Sequence, residues 1–115
     1  MGPDGQFLRL VVDRDYEVLG IEADWYRILD DEGYPALFEP ECFAVRDASE
    51  PSFWVSTLGE DGERYAYPKG WDRPGFFEDF YDKVPAARER FWSVLAELFP
   101  VTASRQGPTG RPRAP

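Results

Sequence analysis

The sequence predicts one small, mainly β domain with α segments, its strands first and two helices at its C-terminal end. Three observations lead there. Short apolar runs separated by clusters of Gly, Asp, Glu and Pro occupy the chain as far as Pro68, which is the pattern of strands joined by tight turns. Apolar residues at spacings of three and four appear only after Pro74. A length of 115 residues suits a single core, and the 17% of aromatic residues enlarges what so short a chain can bury, at roughly 150–250 Å² per ring-bearing side chain.

Taken in order, Phe7, Leu8, Leu10, Val11 and Val12 predict a first strand, ended by Asp13-Arg14-Asp15. Tyr16, Val18 and Ile21 predict a second, with Gly20 as a bulge or bend. Tyr26 and Ile28 then enter a hairpin whose turn is Asp30-Asp31-Glu32-Gly33, because acidic residues followed by glycine suit a turn that needs positive φ. The return strand runs from Tyr34 to Phe38. Pro40 ends it, one helical turn passes through Glu41 and Cys42, and Phe43 and Val45 open a last strand of this unit. A further hairpin spans Phe53 to Tyr67 around Gly59-Glu60-Asp61-Gly62.

In the first predicted helix, Phe76, Phe77, Phe80 and Tyr81 fall within an arc of about 140° and Glu78, Asp79 and Asp82 lie opposite. In the second, Val84, Ala87, Phe91, Val94, Leu95 and Leu98 repeat at helical spacing, with Pro85 in the first turn, where its missing N–H costs nothing. Pro100 stops it. Residues 1–100 thus form the predicted domain, and residues 101–115, rich in Pro, Gly, Ser, Thr and Arg, read as a disordered tail.

Charge restricts the partners. The net charge is −9, and residues 1–100 hold all 22 acids against 10 of the 13 basic residues, which gives them −12. Such a surface repels phosphates, so nucleic acid and anionic membrane are not the expected partners and a basic protein is. Solubility is the simpler purpose of the same charge. The single Cys42 allows no internal disulfide, and the absence of His removes the usual zinc ligand sets and the Cys-His nucleophile, so no cofactor or metal is expected. The segment MGPDGQ has no basic stretch leading into an apolar run, and no apolar stretch reaches 18 residues, which points to the cytoplasm. The oligomeric state is open.

Between residues 15 and 47, the pair Trp25-Tyr26, the turn glycine Gly33 and the run Pro40-Glu41-Cys42-Phe43-Ala44-Val45 resemble the later half of an SH3-like β-barrel. That family has an aromatic pair, a glycine turn and a Pro-x-x-Tyr helical turn before its final strand; Phe43 stands here in place of the Tyr. The opening Ala-Leu-Tyr-Asp-Tyr signature is reduced to Asp15-Tyr16. The resemblance implies an SH3-like barrel, here with an extra hairpin and a cap of two C-terminal helices. In general character, small acidic bacterial SH3-like proteins with an added helical end are similar to immunity proteins that neutralise toxins.

Two candidate surfaces follow. If the resemblance extends to the ligand groove, Trp25, Pro40 and Phe43 line it, whereas the plainer reading makes them core or cover for the barrel end. The acids Asp24, Asp30, Asp31, Glu32, Glu39 and Glu41, edged by Trp25 and Tyr34, form the other: a face for Arg and Lys of a basic partner such as a toxin or other effector, or simply solvated turns. The terminal Arg111-Pro112-Arg113-Ala114-Pro115 is a Pro-x-x-Pro sequence that suits self-recognition by such a groove. Trp71, Trp92 and the aromatic helix read as a plug over the barrel and second hairpin, or in part as an exposed interface. Carboxylate pairs such as Asp72 with Glu78 or Asp79 with Asp82 are the only enzymatic raw material, with no phosphate loop or nucleophile motif beside them, and the expectation is a protein without catalytic activity. A non-enzymatic partner-binding module is therefore expected, with an SH3-like peptide-binding or scaffold module in a bacterial assembly as the alternative.

Overall fold

A computed structural model of the chain describes Leu10 and residues 14–105. It is a mixed α/β protein built on a five-stranded antiparallel sheet in the order β3-β2-β1-β5-β4. The strands are β1 (Gly20–Glu22), β2 (Trp25–Leu29), β3 (Pro35–Phe38), β4 (Trp54–Leu58) and β5 (Arg64–Pro68), and three helices follow: α1 (Phe76–Tyr81), α2 (Pro85–Leu98) and α3 (Pro100–Arg105). The sheet is open among the described residues, with β3 and β4 at its edges.

Both predicted hairpins form, β2–β3 and β4–β5, and β1 joins them by pairing with β2 on one side and β5 on the other. The β2–β3 turn depends on Asp30, whose Oδ1 accepts hydrogen bonds from the Glu32 and Tyr34 N–H groups at 2.9 Å each, and on Gly33, whose φ of 87° a side chain would disfavour. The β4–β5 turn is closed by Gly59 N–H donating to the Glu63 carbonyl at 2.7 Å.

Alternation along the strands divides the sheet into two faces. On one, Leu29 and Tyr67 pack with Trp71, Phe76, Phe77, Phe80, Phe91, Leu95 and Phe99 from the helical end. This is the aromatic plug that the sequence predicts. Trp71 lies in the 3-10 turn Lys69–Trp71 and stacks on Phe91 and Phe99 at centroid distances of 4.8 and 5.8 Å. On the other face Ile28, Ala36 and Phe38 form a smaller cluster covered by Leu10, Tyr16, Tyr26 and Phe43.

Several expectations need correction. Residues 43–45 are not a strand: Phe43 leaves the 3-10 turn Pro40–Cys42 and lies against Tyr26 and Phe38, which draws the chain across the sheet face instead of along its edge. Tyr16 and Val18 also lie outside any strand, and the strand begins at Gly20, with the Leu19 N–H already donating to the Arg27 carbonyl. Residues 101–105, read as tail, belong to α3. Pro100 ends one helix and starts the next, and α3 is held by tertiary contacts: the buried Thr102 hydroxyl donates to Glu17 Oε1, and Arg105 Nη1 donates to the Asp15 carbonyl at 2.6 Å. The strand expected at residues 7–12, except Leu10, and the Pro-x-x-Pro tail at 111–115 lie outside the described residues.

Gly20 pairs with Arg27, whose carbonyl also accepts from the Leu19 N–H at 2.8 Å, and it is a point of close approach. A Cβ there would sit 2.2 Å from the Tyr67 ring and 2.8 Å from the Ala66 carbonyl oxygen. Gly20→Ala is expected to push the Tyr67 ring aside and destabilise the domain by about 1–3 kcal/mol, read as a lowered urea midpoint with an unchanged slope.

Candidate functional site

The β1–β2 turn and the β4–β5 turn lie at the same end of the sheet, because β1 and β5 run antiparallel with Glu22 opposite Tyr65. Asp24 joins the two turns. Its N–H donates to the Arg64 carbonyl and its Oδ1 accepts from the Arg64 N–H, both at 3.0 Å. Ala23 and Asp24 take positive φ (49° and 71°), as the tight connection between twisted strands demands.

On the helix-bearing face, the register sets Trp25, Glu22, Tyr65 and Thr57 side by side across four strands. Directly paired residues hold their Cβ atoms about 4.5–5.5 Å apart, so Glu22 stands between two aromatic neighbours. The helices do not cover this row: Trp25 is 37% exposed, Glu22 and Tyr65 are half-buried and Thr57 is exposed. Leu58, 72% exposed, follows at the edge.

The row behind it is buried and positions Glu22. Arg27 donates from Nε to the Tyr67 hydroxyl at 2.9 Å, from Nη1 to the Pro35 carbonyl at 2.8 Å, and from Nη2 to Glu22 Oε1. Its guanidinium carbon lies 4.0 Å from the Phe77 ring centroid, a cation–π contact inside the core. The Tyr67 hydroxyl in turn donates to Glu22 Oε1 at 2.7 Å. Burial pushes this hydroxyl far above the ordinary phenol range against the pull of the Arg27 charge, and the Glu22 charge pushes it further, so it stays protonated and remains a donor. Gly20, with no side chain, leaves the room in which Tyr67 can do this.

The end of the sheet is anionic. Burial first, and then the charges of Glu63, Glu22 and Asp24, raise the Tyr65 hydroxyl above its usual range. Glu60 and Asp61 are exposed on the adjoining turn. The nearby cation Arg64 does not offset them on this face: its side chain turns to the other one, bonds Ser56 Oγ at 3.0 Å and is taken up by both carboxylate oxygens of Glu50, at 2.5 and 2.6 Å. That pair holds the Glu50 carboxyl below its usual range.

The structure divides the residues that the sequence singles out. Asp24 and Trp25 stand at the anionic end, and Glu39, Pro40 and Glu41 follow Phe38, whose partner is Tyr26, so they lie toward the same end. Asp30, Asp31, Glu32 and Tyr34 lie at the opposite end of β2. There Asp30 is 1% exposed and shapes the turn instead of meeting solvent. Asp31 accepts from the Tyr16 hydroxyl at 3.1 Å and pairs with Arg14 at 3.4 Å, Tyr34 stacks on Tyr81 at 6.0 Å, and Glu32 is exposed. Trp25 and Phe43 fall on opposite faces, since Phe43 packs on Tyr26, the next residue of β2, so they do not line one groove. Of the carboxylate pairs, Asp79 binds Arg73 at 2.8 Å.

Sequence reasoning missed Glu22, Glu63 and Tyr65. The alternation of Tyr65 and Tyr67 marks a strand, but nothing local says that residues 64–66 lie beside residues 21–24. Among the described residues no group of three or more His, Cys, Asp or Glu is placed to hold a metal ion, and no helix is long and apolar enough to cross a membrane. Comparison with known proteins finds no matching family model, no matching curated protein and no matching solved structure.

Proposed function

We propose that this chain is a non-enzymatic protein-binding module, an SH3-like unit extended by a hairpin and a helical cap, whose acidic, aromatic-edged face engages a basic protein partner. One observation carries the reading: the row Trp25, Glu22 and Tyr65, which the helices leave uncovered, is flanked by Asp24 and Glu63, while Arg64 is turned away and neutralised by Glu50. The aromatic faces supply contact area and cation–π attraction for Lys or Arg, and the carboxylates supply direction and encounter rate. Neutralisation of a basic toxin, in the manner of an immunity or inhibitor protein, is the concrete form of this function. The SH3-like character is supported by the part of the chain that suggested it, the β2–β3 hairpin followed by the 3-10 turn Pro40–Cys42.

The test compares tagged wild-type chain with a Trp25→Ala/Glu63→Lys double variant as bait in lysate of the native host. A captured protein with an isoelectric point above about 9 is expected with the first bait only, and the purified pair should associate more slowly as salt rises. Equal capture by both baits, or an association rate indifferent to salt, would overturn the reading. Reversing Asp30 instead is expected to unfold the hairpin and so says nothing about binding.

A further inference from the structure

We infer that β4 is a docking edge, and that the basic partner adds an extended segment to it as a sixth strand. This rests on the function proposed above and names how the partner is held.

The hydrogen-bonding state of β4 follows from its neighbour. Arg64 directs both of its backbone groups toward Asp24, on the β1 side of β5. Leu58, which stands opposite Arg64, therefore exchanges no hydrogen bond with β5, and the alternation of antiparallel pairs places Ser56 in the same state. Val55 and Thr57 bond inward to Tyr67 and Tyr65. The N–H and C=O of Ser56 and Leu58 consequently point outward from the sheet edge.

Edge strands of natural sheets are commonly blunted by proline, by lysine or by a bulge. The opposite edge, β3, begins with Pro35, but β4 reads Trp-Val-Ser-Thr-Leu and has none of these devices. Every one of its residues after Trp54 is exposed, including Leu58 at 72% and Val55 at 38%. The strand itself is firmly held, since Trp54 Nε1 donates to the Leu19 carbonyl at 3.1 Å. An uncharged, unblunted edge is a template for strand addition, in which main-chain bonds supply affinity and alternate side chains supply selection.

Charge chooses the occupant. An added strand would lie about 4.8 Å beyond β4, and its residue opposite Thr57 would extend the row of Trp25, Glu22, Tyr65 and Thr57 on the same face. From there the four-carbon stem of a lysine reaches back over Thr57 toward Tyr65 and Glu63. Glu60 and Asp61 flank the end of the edge, so a segment alternating Lys with β-branched residues fits, and an acidic segment is repelled.

The test is hydrogen exchange of the full chain, followed by NMR, with synthetic peptides of alternating Lys and Val or alternating Glu and Val. The Lys–Val peptide is expected to slow exchange of the Ser56 and Leu58 amides about tenfold or more and to shift the Trp25 and Tyr65 signals, and the Glu–Val peptide to do neither. Ser56→Pro removes an outward N–H at an edge position where proline is tolerated, and is expected to weaken the Lys–Val peptide about tenfold or more. Exchange in the unaltered chain decides the matter even if that variant folds poorly. Shifted Trp25 and Tyr65 signals without protection of Ser56 and Leu58 would overturn edge pairing and leave the acidic face standing. No response at either place would overturn both readings. Protection that grows with protein concentration and needs no peptide would show a second copy on the edge, and equal protection by both peptides would show no selection for a basic segment; each overturns the inference.

Discussion

Trp71→Ala is expected to lower the stability of the domain by about 3–5 kcal/mol, because it removes the largest side chain of the core from a site that cannot collapse. Trp71 is 1% exposed and is enclosed by Phe77, Phe91 and Phe99 at centroid distances of 4.8 to 5.9 Å. These rings come from α1, α2 and the residue that follows α2, so the cavity would separate the helical end from the sheet. Against a typical total of about 5–15 kcal/mol, the loss is about a fifth or more of what holds the fold. Urea unfolding should show a midpoint shift with little change in slope. Trp71→Phe should cost much less, for a reason beyond its size. The buried Trp71 Nε1 has no hydrogen-bond partner among the described residues, and phenylalanine abolishes that unmet donor. Equal losses for the two variants would show that packing around the indole matters less than this geometry implies.

Replacing Arg27 has the next largest expected effect. Its side chain is 6% exposed, and its guanidinium bonds Tyr67, Pro35 and Glu22 and lies over the Phe77 ring. Arg27→Ala strips the Tyr67 hydroxyl and the Pro35 carbonyl of a donor inside the domain, and is expected to cost about 3 kcal/mol. Arg27→Lys should recover little, because one ammonium cannot serve three acceptors arranged around a planar fork. The reverse variant, Glu22→Gln, should cost less. At 36% side-chain exposure, Glu22 reaches water, and an amide oxygen still accepts from Arg27. The two positions should also differ in binding. Glu22→Gln removes a charge from the proposed contact row, so partner affinity should fall by more than stability does, whereas Arg27→Ala should reduce both together. Thermal unfolding and binding measured on the same samples separate these outcomes.

How much of this was legible in the chain depended on the range of the interactions. The two hairpins, α1 and α2 were readable because their signals are local: Gly33 and Gly62 supply positive φ at their turns, and Phe76, Phe77 and Phe80 repeat on one side of a helix. Asp30 was visible as a turn residue but not as a buried one, since its burial depends on what packs around the turn and not on the turn itself. α3 was invisible. It has hardly any apolar residues, and its anchors, Glu17 and Asp15, lie 85 and 90 residues away along the chain.

By itself, then, the sequence determined the two hairpins, α1 and α2, the aromatic investment in the core and the sign of the surface charge, all of which follow from composition and short-range periodicity. Tertiary structure alone decided that Glu22 stands between Trp25 and Tyr65, that Arg27 is buried beneath them and that β4 is left at the edge. Those facts follow from the pairing of β1 with β5 across more than 40 residues, and no local preference encodes which strands become neighbours.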